Sequence, residues 1–110
     1  MKNLEIDEIF IFYGAPQVMS AKDKEGNYYM CTLYTIDSRN NLNYITSKIT
    51  EKELKDLKSN TIDLLSIYQN RSIYKAIAIM DDIFYIDSEI IPEPWMLPDE
   101  DLYIADRSDR

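Results

Sequence analysis

Nine consecutive residues, Tyr28 to Ile36, are nearly all β-formers, and a turn of the same design closes each end: Asp23-Lys24-Glu25-Gly26 before them and Asp37-Ser38-Arg39-Asn40 after. Aspartate suits the first position of a type I turn, and Gly26 or Asn40 accepts positive φ at the last. A strand bracketed in this way runs antiparallel to the segments on both sides of it. Glu8 to Tyr13 reads as the first strand and is broken by Gly14-Ala15-Pro16. Gln17 to Lys22 reads as the second, and Leu42 to Ser47 follows the central one. Residues 8–47 therefore form an antiparallel meander. The chain has only two glycines, so its other tight turns must use Asn or Asp.

The period changes at Thr50-Glu51-Lys52-Glu53, a capping box in which the threonine hydroxyl accepts the Glu53 N–H and the Glu53 carboxylate reaches back. Leu54 and Leu57 give the helix that follows one apolar edge, and it ends near Ser59-Asn60. Thr61 is placed to cap a second short helix over Ile62 to Gln69. Ile73 to Met80 and Ile83 to Ile90 read as a final hairpin around Asp81-Asp82. A helix from Ser72 to Met80 is the alternative, because short apolar runs fit either period. Pro92, Pro94 and Pro98 exclude regular structure through their stretch. The expected fold is α+β: an antiparallel β-meander of five or six strands, half-open and barrel-like, with one or two short helices inserted at about 51–69. Residues 1–98 are expected to form a single globular domain. Residues 99–110 read as an acidic, mobile C-terminal tail, in which only Leu102-Tyr103-Ile104 is apolar enough to dock. An exposed strand edge could also pair two copies into a homodimer.

The side-chain inventory narrows the chemistry. There is no histidine, which removes the commonest general base and metal ligand, and a single cysteine cannot build a thiolate zinc site. Two glycines are too few for a P-loop or a dinucleotide fingerprint. The acids fit no EF-hand pattern. A carboxylate-based enzyme is the one catalytic class left open, and no catalytic residue, metal or cofactor is expected. Cys31, unable to form an internal disulfide, reads as a small buried hydrophobe in a reducing compartment. With neither a secretory signal nor an apolar run of spanning length, a cytoplasmic location is expected. Lys48, Lys52, Lys55 and Lys58 recur at helical spacing, but Glu51, Glu53 and Asp56 lie among them, as on an ordinary solvated helix face.

The charge is unevenly placed. Residues 1–80 balance ten acids with ten bases, whereas residues 81–110 hold ten acids and two arginines, the whole of the net charge of −8. Such a segment repels nucleic acid and anionic membrane and favours basic protein surfaces. Within it, Glu93-Pro94-Trp95-Met96-Leu97-Pro98 holds the only tryptophan. Trp95 either plugs the edge of the core or anchors a partner, with the prolines limiting the entropy lost on ordering. The expected function is non-enzymatic binding of another protein with a basic surface through Asp82, Glu93, Trp95, Asp99, Glu100, Asp101 and Tyr103. A specific form is a small antagonist, of the kind phages encode, that occupies a basic nucleic-acid-binding groove. The alternative is a ligand-binding or carboxylate-based enzymatic domain whose pocket is lined by Tyr13, Tyr29, Tyr34 or Tyr44 beside an acid of raised pKa.

Phe12-Tyr13-Gly14-Ala15-Pro16, Ala21-Lys22-Asp23 with Gly26-Asn27-Tyr28-Tyr29, the turn at Asp37, Thr50-Glu51-Lys52-Glu53-Leu54 and Ile62-Asp63-Leu64 together resemble an uncharacterised family of small bacterial and phage-borne proteins. The resemblance covers about half the chain, residues 12–65. Its motifs are turns, caps and core positions, and it implies no catalytic residues. The departure is at Ser59-Asn60, where a Ser-Gly pair would fit the pattern better.

Overall fold

Strand pairing begins at Lys2, well before the apolar run at Ile9. In the computed structural model, which describes residues 2–79 and 83–105, the first segment is split at Leu4. β1 (Lys2–Asn3) pairs with the last strand, and β2 (Glu5–Phe12) pairs with β3 (Pro16–Lys22). β4 (Tyr28–Ile36), β5 (Leu42–Ile49), β6 (Ile73–Ala78) and β7 (Phe84–Ile90) complete one antiparallel sheet of order β1-β7-β6-β5-β4-β3-β2. The two ends of that order are neighbours in sequence, so the sheet curls into a half-barrel with the N-terminal segment laid along both of its edges. The Leu4 N–H donates to the Phe84 carbonyl at 2.8 Å where the segment changes partner.

Among the described residues there are seven strands, one α-helix, α1 (Glu51–Lys58), and two 3-10 turns, Leu65–Tyr68 and Pro94–Met96. The seventh strand is the one missed in sequence: Lys2–Asn3 is too short and too polar to register as a strand, and it exists because Leu4, 6% exposed, pins it beside Phe84. Residues 73–78 are strand, not the alternative helix. The Asp81-Asp82 turn lies outside the described residues.

The central strands are buried on both faces. On one, Leu4, Met19, Ala21, Tyr29, Cys31, Tyr44, Ala76 and Phe84 form a core, with Tyr44 and Phe84 edge to face at 5.7 Å. On the other, Val18, Met30, Ile45, Ile49 and Ile73 pack under Leu54 and Leu57 of α1 and under Leu64, Ile67 and Tyr68. The Tyr68 hydroxyl, 2.8 Å from the Thr32 hydroxyl and 3.1 Å from the Met30 carbonyl, reaches into the sheet. Burial at Cys31 pushes its thiol up to about 12, so it behaves as a small apolar filler.

The capping box forms as the sequence requires: the Glu53 N–H donates to Thr50 Oγ1 at 3.1 Å, and the Thr50 N–H donates to Glu53 Oε1 at 2.9 Å. The second helix shrinks to the 3-10 turn, with no side-chain cap from Thr61, whose hydroxyl meets that of Ser59 at 2.8 Å instead. Asp63 takes over, accepting from the Ser66 N–H at 3.1 Å. Capping two residues later than Thr61 leaves one turn, Leu65–Tyr68, too short for helix propensity to extend it. Asn60 occupies the left-handed region at φ 60°, the conformation for which glycine fits best. Its side-chain Oδ1 accepts the Ala105 N–H at 3.1 Å, a bond glycine could not make.

Candidate functional site: an acidic aromatic cleft

The C-terminal segment does not leave the body at residue 98. Ile104 is 2% exposed in the core beneath α1, and Leu102 packs beside it. The Leu64 N–H donates to the Leu102 carbonyl at 2.9 Å, and the Asp101 N–H to Asp63 Oδ2 at 2.9 Å, with Asp101 itself at φ 61°. Residues 99–105, expected as part of a mobile tail, are thus tied at three backbone donors or acceptors and two apolar side chains. Residues 106–110 lie outside the described residues. Hydrogen bonds from the Ser66 side chain and then the Asp101 backbone hold the Asp63 carboxyl below the usual carboxylate range, so the group making these ties stays ionised at neutral pH.

This docking leaves a cleft of about 380 Å³ between the segment and the sheet, lined by Ile11, Val18, Leu33, Tyr34, Trp95 and Leu97 among others, with Asp99 at one side. Two sheet irregularities shape its surroundings. Leu33 pairs with Tyr44 and Thr35 with Asn43, so Tyr34 is the extra residue of a bulge. Lys75 pairs with Ser88 and Ala76 with Ile86, so Asp87 is the extra residue of another. Bulges re-aim side chains that a regular ladder would hold in alternation. Tyr34 meets Trp95 edge to face, with ring centroids 5.9 Å apart. Burial, and then the Asp87 carboxylate, raises the Tyr34 hydroxyl pKa.

Trp95 is 63% exposed, so it stands on the rim and does not plug the core edge; Met96 and Leu97 supply the apolar contact there. Glu93, Asp99, Glu100 and Asp101 are exposed, and Tyr103 is 38% exposed. Asp82 lies outside the described residues. Residues 83–105 contain six acids and no base, all six exposed. Every ion pair found among the described residues takes its acid from residues 7–56: Lys2–Asp23, Lys2–Glu25, Lys22–Asp7, Lys52–Asp56, Lys58–Glu8 and Arg71–Glu53.

The tyrosines of the alternative reading stand apart. Tyr13 is 85% exposed, and Tyr29 is buried against Asp23 with its hydroxyl donating at 3.0 Å. Tyr44 lies in the core, its hydroxyl on the Pro16 carbonyl at 2.8 Å, and Tyr34 alone lines the cleft. The carboxylates with resolved shifts, Asp23, Asp37, Glu53 and Asp63, all move down and not up. Among the described residues no group of three or more acids or cysteines is arranged to hold a metal ion. No helix there is long and apolar enough to cross a membrane. Compared with protein-family models, with curated proteins and with solved structures, the chain matches none.

Proposed function

We propose that this chain is a non-enzymatic protein-binding protein that meets a basic surface of its partner with the Trp95-containing segment. The observation that supports it most is the combination at 83–105: six exposed carboxylates without a base or an ion pair among the described residues, beside an exposed indole. Unpaired surface acids keep their field, and an exposed tryptophan is the residue type that most often dominates an interface. The ties at Asp63 and Leu64 favour the finer form, an antagonist of a nucleic-acid-binding protein, because they fix Asp99 to Asp101 on a supported turn. Charges held in place can follow a groove built for phosphates, whereas charges on a free tail cannot do so without an ordering cost.

The test is affinity capture from the organism of origin with the natural chain, Trp95→Ala, and a triple variant Asp99→Asn, Glu100→Gln, Asp101→Asn. Deleting 99–110 is a poor substitute, since it also removes Ile104 from the core. The reading expects a basic protein released by moderate salt and lost in both variants. A partner list unchanged by either variant moves the binding site elsewhere.

A further inference from the structure

The cleft itself carries a narrower statement than the charge of its surroundings. Its lining is mixed: apolar at Val18, Leu33 and Leu97, neutral and polar at Gln17 and Thr32, aromatic at Tyr34 and Trp95, and anionic at Asp99. The Tyr34–Trp95 pair meets edge to face and leaves Trp95 largely open to solvent. A bare anion finds no cation here, and a neutral apolar side chain would leave the carboxylate unanswered. The side chain that satisfies the apolar, aromatic and anionic surfaces is long and apolar in its stem and planar and cationic at its end. A guanidinium stacks on an indole face and offers a fork of donors to a carboxylate, which an ammonium does less well.

We infer that the cleft between Tyr34, Trp95 and Asp99 receives an arginine side chain from a basic segment of the partner protein, an inference that rests on the protein-binding reading above. The exposed charge of residues 83–105, all of one sign, is complementary to such a segment and unlike a nucleic acid or a second copy of the same acidic face.

Trp95 is the only tryptophan of the chain, so its emission reports on this place alone. The full chain is titrated with an acetylated, amidated Gly-Arg-Gly-Arg-Gly peptide at low salt, with the same peptide carrying citrulline for arginine, with a lysine version, and with spermine. The inference expects a saturable emission change with the arginine peptide. It expects affinity about tenfold weaker for citrulline, which keeps the shape and loses the charge, and a smaller loss for lysine. Asp99→Asn and Tyr34→Ala, both checked for an unchanged thermal melt, each weaken the arginine peptide by about tenfold. No emission change at millimolar peptide, an equal response to citrulline, an equal response to spermine, or full affinity in both variants each overturns it. The two ideas fail separately. Capture of a basic protein that persists in Asp99→Asn and Tyr34→Ala while Glu89→Gln, Glu93→Gln abolishes it leaves the protein-binding reading standing and removes the arginine cleft. Arginine-peptide binding with the expected pattern but no captured partner leaves the cleft's preference for arginine standing and removes its assignment to a partner protein.

Discussion

Asp23 is the residue whose neighbours do most to fix the meander. It opens the turn to β4, accepting from the Glu25 and Asn27 N–H groups at 3.0 and 2.9 Å, and it also accepts from the Tyr29 hydroxyl at 3.0 Å and Lys2 Nζ at 3.3 Å. Burial pushes its carboxyl pKa up, but the bonds from Asn27, Tyr29 and Lys2 outweigh that and hold it well below the carboxylate range. Asp23→Ala should therefore cost about 2–3 kcal/mol in urea unfolding, since it leaves a buried hydroxyl and several donors unmatched. The depressed value also sets a direction for pH. Asp23 stabilises fully above its unfolded-state pKa of about 3.9, and that part is lost as the pH falls from there through the folded value. In the Asp23→Ala chain the same acid titration should show a shallower loss of stability. At Asn60, φ 60° makes Asn60→Ala cost about 1–2 kcal/mol, while Asn60→Gly, losing only the bond from Ala105, costs less; equal losses in the two variants would show that backbone strain is not what matters there. The turn at Asp23 could be read from spacing alone. Its bond to Lys2 could not, because nothing local brings residues 2 and 23 together.

Elements with strong local signals were the legible ones. β4 and β5 lie within a residue or two of where the β-formers place them, and α1 starts at its capping box. Where the signal was a short apolar run, the outcome was a shorter element: Ile62 to Gln69 holds only the 3-10 turn Leu65–Tyr68, with Asp63 at its start also tied to Asp101. The cleft was half legible. Trp95 and Asp99 stood out by type and composition, but the bulge at Tyr34, which meets Trp95, depends on inter-strand register, which no single segment encodes. The docking of residues 102–104 is likewise a matter of what lies beneath. Ile104→Ala should destabilise the chain by about 2–4 kcal/mol, the range for truncating a fully buried branched side chain, and Ile104→Val by about 1 kcal/mol. Thermal denaturation checks this: an unshifted melt for Ile104→Ala would mean that the segment is not part of the cooperative unit.

At the scale of the molecule, two cores share one sheet and the acidic segment lies over an edge of the second. Lys58 reaches from the end of α1 to Glu8 on β2 at 3.0 Å, so the helix side is knitted to the first strands by ion pairs while the cleft side is not. Mutations in the two cores and mutations on the rim of the cleft should then separate, the first changing stability and the second changing binding. Leu4 belongs to the first kind: Leu4→Ala, at a site 6% exposed where β1 meets β7, should cost about 2–4 kcal/mol and speed hydrogen exchange in β7 before that in β4. Exchange that rises uniformly across the sheet would contradict it. During synthesis, Lys2 and Asn3 leave the ribosome long before Tyr85 and Ile86, their eventual partners. The hairpins can zip one after another as they emerge, but the β1–β7 ladder joins residues far apart in sequence and is the most non-local pairing of the sheet, so until it forms the edge of β7 away from β6 stays open to the wrong neighbour.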